Sequence, residues 1–186
     1  MLDRREPTAQ QMKAVANPMR LRILSLCEGA ELTNKQLADR LARDPSTTLH
    51  HVRLLEAAGL IEAAGIRKGP SGAYEKPYHS TGLARRLSFA LPTSDDERLP
   101  MLDAFSEELR EAGHTSVAQL TTFHLHLGET DLEEFIEQYL HLLAAWRQSD
   151  DVRAESGEPR YGGVVVVHRM ADDKRMAGGK RESEDA

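Results

Sequence analysis

The chain of 186 residues is poor in cysteine, Cys27 being the only one. An intrachain disulfide is therefore impossible, and so is a zinc site built on several thiolates. Long apolar runs are missing, so no stretch is expected to cross a bilayer as a helix. Residues 1–7 lack the apolar centre of a secretion signal, and these absences together point to the cytoplasm. A Gly-rich phosphate loop, a nucleophile elbow and a His-Glu-x-x-His zinc motif are lacking as well. His114, His124, His126 and Glu137 could be assembled into an acid/base or metal set. The half of the chain that carries them is short for a catalytic domain, so the expectation is a protein that is not an enzyme. No long-period repeat is present.

Positive charge is also scarce, with a net of −6, but the average hides a split. Residues 1–90 carry 14 Lys and Arg against 9 Asp and Glu, a net of +5, and residues 91–186 carry 10 against 21, a net of −11. A basic half joined to an acidic half suggests that one half meets a polyanion.

What is present is punctuation. Residues 8–17 read as a short helix. Asn17 followed by Pro18 is an N-cap followed by a good first helical residue, and the next helix runs to about Glu28, where Gly29 stops it. Thr33 and Gln36 match a capping box for a helix over about 34–43, with Leu37, Ala38 and Leu41 inward. Asp44-Pro45 breaks that helix, and Ser46 or Asp44 caps another that continues to Ala58 and ends at Gly59. Residues 60–66 and 74–80 read as strands around the turn signal Gly69-Pro70-Ser71-Gly72, and Pro77 argues that the second strand lies at an edge.

The pattern changes after residue 82. Residues 83–91 and 97–112 read as helices on either side of a linker at 92–96. Residues 117–127 alternate, with Phe123, Leu125 and Leu127 on one face and Thr122, His124 and His126 on the other. Thr130 is the expected cap of a long helix striped by Leu132, Phe135, Ile136, Tyr139, Leu140 and Leu143. Val164 to Val167 reads as a buried strand. Residues 171–186 are charged and are expected to be disordered. The fold class is mainly α with a small β component. A winged helix-turn-helix domain over 8–91 is followed by a smaller α+β domain over 97–170 with strand–helix–strand order.

On a helical wheel, residues 46–58 put Leu49, Val52 and Leu55 on one side, Ser46, Thr47, His50 and Arg53 on the other, and His51 at the flank. A helix that reads a duplex needs this division, because one face must anchor while the other carries donors that reach base edges. Arg53 can bond guanine bidentately or hold a phosphate, and Thr47 and Thr48 offer hydroxyls and methyls. Thr33 and Lys35 of the preceding helix join the DNA-contacting set. Arg67, Lys68 and Lys76 around the hairpin bend can follow a phosphate backbone.

Asn17-Pro18-Met19-Arg20-Leu21-Arg22-Ile23-Leu24, Leu32-Thr33-Asn34-Lys35-Gln36-Leu37-Ala38 and Ser46-Thr47-Thr48-Leu49-His50-His51-Val52-Arg53-Leu54-Leu55, with Glu56-Ala57-Ala58-Gly59-Leu60-Ile61 after them, occur in this order. In this order the segments resemble the ArsR-type winged-helix repressors, over about residues 12–82. The resemblance implies a homodimer that places two recognition helices on a pseudo-palindromic operator in double-stranded DNA, with repression more common than activation. It does not carry metal sensing with it. The stretch where many such proteins place sensor cysteines, residues 32–41, has none, and Cys27 reads as a small core residue. Glu137 and His141, at i and i+4, and His124 and His126, on one strand face, fall short of a metal site. No metal or cofactor is expected. Phe123, Phe135, Tyr139 and Trp146 are core candidates by default, or the lining of a pocket for a small-molecule effector. A protein-interaction module built on the winged helix is the competing non-enzymatic reading.

Overall fold

The computed structural model describes residues 5–69, 72–87 and 99–170. The first layer is helical. Helix α1 (Ala9–Val15) starts at a capping box in which the Thr8 hydroxyl accepts from the Gln11 amide and the Gln11 side chain accepts from the Thr8 amide. Helix α2 (Pro18–Gly29) begins with Asn17 as N-cap and Pro18 at the first helical position, as the sequence predicts. A short strand, β1 (Leu32–Thr33), leads to α3 (Asn34–Arg40), whose capping box joins Thr33 and Gln36. Helix α4 (Pro45–Ala57) follows a tight turn. Within that turn Ala42 is held at φ +49°, in the left-handed region that L residues enter at a cost.

The hairpin is built from four short pieces: β2 (Ile61–Ala63), β3 (Arg67–Lys68), β4 (Tyr74–Glu75) and β5 (Pro77–Ser80). Strand β5 is antiparallel to β1 on one side and to β2 on the other, with Leu32 opposite Tyr78 and Ala63 also opposite Tyr78. The edge position expected from Pro77 is therefore not found: β5 is the central strand. Pro77 is tolerated because it is the first residue of β5, where a ladder loses little from a missing N–H, and its carbonyl still accepts from the Ala64 amide at 3.0 Å. Strands β3 and β4 continue the hairpin outward as a wing, with Arg67 opposite Glu75 and Lys68 opposite Tyr74.

One core unites these elements. Ile23, Leu37, Val52, Leu55, Leu60 and Ile61 are buried at its centre. Gly59, at φ +69°, lets the chain turn from α4 into β2. Beyond the hairpin a single 3-10 turn (Leu83–Arg86) stands where a longer helix over 83–91 is expected; residues 88–91 and the expected linker at 92–96 lie outside the described residues. Helix α5 (Pro100–Ala112) packs on α2, and buried Arg22 binds Glu107 and Glu111, one turn apart on α5.

Residues 113–170 differ from the strand–helix–strand expectation. Helix α6 (Glu129–Arg147) is present and is followed by α7 (Asp150–Glu155). Its cap is Gly128, not Thr130: the chain turns helical two residues earlier, and the Gly128 amide donates to the Asp131 carboxylate at 3.3 Å. Residues 117–127 and 158–170 form neither helix nor strand among the described residues, since a strand needs a neighbour and none of the described residues supplies one. Val165, Val166 and Val167, expected to be buried, are exposed. The expected disordered tail, residues 171–186, lies outside the described residues. No described helix is long and apolar enough to cross a membrane.

A candidate nucleic-acid interface

The site is built on α4. Asp44 caps it, and its carboxylate accepts from the amides of Ser46 at 2.8 Å and Thr47 at 3.1 Å. Asn34, at the start of α3, donates to the Pro45 carbonyl at 2.9 Å, so the two helices are joined at their N-termini. That bond links a side chain and a backbone carbonyl that the sequence gives no reason to connect. Val52 and Leu55 point into the core and fix the rotation of α4. Ser46, Thr47, His50 and Arg53 are left exposed on its outer face, as the wheel predicts.

Two members of the predicted set are turned inward. Thr48 is completely buried and donates its hydroxyl to the Asp44 carbonyl at 3.0 Å. At four residues back this is the ordinary local bond of a helical threonine, and it removes Thr48 from any outward surface. Thr33 is buried with its hydroxyl committed to the Gln36 amide at 3.2 Å, so its role is to cap α3. His51 is intermediate in position. Burial, then the positive charge of Arg20, then His50, push its pKa below the usual histidine value. Its buried Nδ1 has no partner among the described residues.

The basic residues divide into paired and unpaired. Lys35 is bridged to Asp39 at 3.1 Å on α3, and Arg67 to Glu31 at 3.2 Å. Lys76 reaches Glu56 at 2.9 Å and lies over the Tyr78 ring, and the Glu56 hydrogen bond is the main reason its pKa is raised. Arg53 and Lys68 form no ion pair among the described residues, and neither does Arg43, exposed in the turn just before α4. Arg43 is an addition to the predicted set; its signal was a cation adjoining the Asp44 cap. The wing's bend at Pro70 and Ser71 lies outside the described residues, between Gly69 and Gly72, where the Gly72 amide donates to the Gly69 carbonyl at 2.9 Å.

The other candidates stay apart. Cys27 is buried in the core, and burial pushes its thiol up to about 12, so it is held as an unreactive neutral thiol. His141 stands 3.8 Å from Glu137, and no group of three His, Cys, Asp or Glu side chains suited to a metal forms among the described residues. Phe123 and Phe135 touch, with ring centroids 5.6 Å apart, while Trp146 is exposed with Arg153 over its ring.

Helix, short strand, helix, tight turn, outward-facing helix and hairpin, in this order, make residues 9–80 a winged helix-turn-helix. Comparison with known proteins agrees at that level: residues 15–63 match the family model described as a helix-turn-helix domain. No curated protein matches the chain. Among solved structures, the transcriptional regulator SlyA is similar at 15% identity over 75% of this chain and 79% of its own, with a TM-score of 0.31, a likeness too slight to argue from.

Proposed function

We propose that this protein is a sequence-specific DNA-binding transcriptional regulator, acting in the cytoplasm as a homodimer. The observation that carries this reading is the division of α4: Val52 and Leu55 anchor one side while Ser46, Thr47, His50 and Arg53 stand free on the other, beside a basic wing. A rod of this kind fits the major groove, and side chains on its free face reach base edges. Arg53 and His50 read bases, Ser46 and Thr47 hold phosphates or thymine methyls, and Lys68, Arg67, Lys76 and Lys35 follow the backbone. For the last three, a phosphate must first compete with Glu31, Glu56 and Asp39. The resemblance in sequence supports an ArsR-type repressor on a pseudo-palindromic operator as the finer form of the proposal.

The test is selection of genomic fragments by the purified protein, followed by titration of the enriched duplex. Arg53→Ala is expected to weaken specific binding by about 1–3 kcal/mol and to relax base preference at one position. Affinity should also fall steeply with salt as counterions are released. A selection that enriches no motif would overturn the reading in favour of a protein-interaction module.

An effector is the second part of the proposal. A cavity of about 340 Å³ opens between α2 and α5, floored by Leu21, Leu24, Met101 and Phe105 and rimmed by Glu28, Glu108 and Arg160. An apolar floor with few polar groups is the common form of a small-molecule site. Because α2 belongs to the DNA-reading core, a molecule seated there can bias the placement of α4. The test is a screen of small amphipathic molecules by thermal shift, repeated on Phe105→Trp, in which the cavity is filled.

A further inference from the structure

Residues 117–170 carry two stretches of strand-forming sequence that form no strand among the described residues. Phe123 meets Phe135 of α6 with ring centroids 5.6 Å apart, while Leu125 and Leu127, its neighbours on the same face in the alternating pattern, are exposed. A strand lying on a helix makes a two-layer unit only with a neighbouring strand beside it. None of the described residues supplies it: the amides and carbonyls of residues 118–127 and 159–170 make no backbone hydrogen bond with other described residues. Segment 164–167, four consecutive valines, is the other strand-forming stretch: Val164 lines the α2–α5 cavity, and Val165, Val166 and Val167 are exposed.

We infer that the partner is a second copy of this chain, and that segments 122–127 and 164–167 of two copies pair edge to edge in one intermolecular sheet, with the two α6 helices covering its apolar face. This rests on the homodimer part of the proposed function and gives it a location. Fourteen large apolar side chains between Val117 and Met170 are exposed in one chain. Nine of them belong to the two segments and α6, and at the area typical of such side chains these expose on the order of 500–1,000 Å², the range of the ~800 Å² that each partner gives to a stable dimer. An unpaired strand edge recruits another strand through its backbone groups, and a two-fold axis returns to each copy the same edges that it offers. The pairing leaves Thr122, His124 and His126 on the outer, polar face of the sheet.

The test uses the intact protein. Light scattering measures its mass, and amide hydrogen exchange is followed at two concentrations a hundred-fold apart. The expected result is a dimer in which the amides of 122–127 and 164–167 are protected, with protection falling at least ten-fold on dilution. Leu125→Pro and His124→Pro each delete one N–H, on opposite edges of the segment. Both sites are exposed, far from the core at Ile23 and Leu55, so residues 9–80 should melt unchanged. At least one of the two variants should lose both dimer mass and protection. A dimer whose two segments exchange freely would overturn the strand pairing and leave the homodimer standing. Protection of both segments in a monomer would place the pairing inside one chain and overturn the inference. A monomer with free exchange would overturn both.

Discussion

Residues 9–87 and residues 117–170 are comparably rich in apolar side chains, yet they treat them in opposite ways. The first stretch buries Ile23, Leu37, Val52, Leu55 and Leu60 almost completely, whereas the second has no buried residue among those described. The difference is in complementarity. Helices α2, α3 and α4 and the sheet face one another across one core, whereas α6 has no buried residue and meets the segment before it in the contact of Phe123 with Phe135. Apolar content predicts that surface must be covered; it does not say whether the cover lies in the same chain.

The comparison can be broken by mutation. Leu55→Ala should destabilise the protein by about 2–5 kcal/mol in urea unfolding, because it removes contacts in a close-packed core and leaves a cavity. Leu142→Ala, at an exposed position on α6, should change monomer stability by less than about 0.5 kcal/mol. Equal effects would mean that α6 is packed after all.

The contact between the first region and α5, which leads into the second, is next in size. Arg22 is buried, while Glu107 and Glu111 are partly solvated. Arg22→Ala therefore leaves carboxylates that water can reach, and the expected loss is about 1–2 kcal/mol, below that of a fully buried pair. The variant should also free α5 from α2, which limited proteolysis after residue 99 would detect.

Within residues 9–87, Ala42→Gly should raise stability by about 0.5–1 kcal/mol, visible as a higher Tm, because glycine holds a positive φ without the penalty. The smallest effect is that of His51. Its pKa is lowered in the fold, so the unfolded chain takes up its proton first as pH falls. The stability it contributes is complete above about 6.5 and is lost as pH drops through that value toward the folded pKa. The stability–pH slope of His51→Gln between pH 6.5 and 5 should be shallower than that of the parent, and an unchanged slope would contradict the burial argument.

These contrasts also show what could be read in advance. Thr33 with Gln36, Asn17 with Pro18 and Gly59 act within a few residues, so their roles were visible along the chain, and with them the order of helices and the outward face of α4. What could not be read is decided at a distance. Arg22 meets Glu107 and Glu111 across more than eighty positions. Pro77 sits in the central strand because β1, far upstream, pairs with it. Thr48 looked available because a wheel does not show a hydroxyl turning back to a carbonyl four residues earlier. The flanking segments of α6 read as strands by pattern but form none among the described residues, because a pattern cannot say which backbone will pair with them.

The Asp44 cap bears on the approach to a duplex. The leading tip of a helix is ordinarily electropositive and can seat a phosphate on its free amides. Here the amides of Ser46 and Thr47 are already occupied by a carboxylate, so a phosphodiester arriving end-on would be repelled. In the proposed complex α4 would then lie sidelong in the groove, with the exposed Arg43 beside its blocked end.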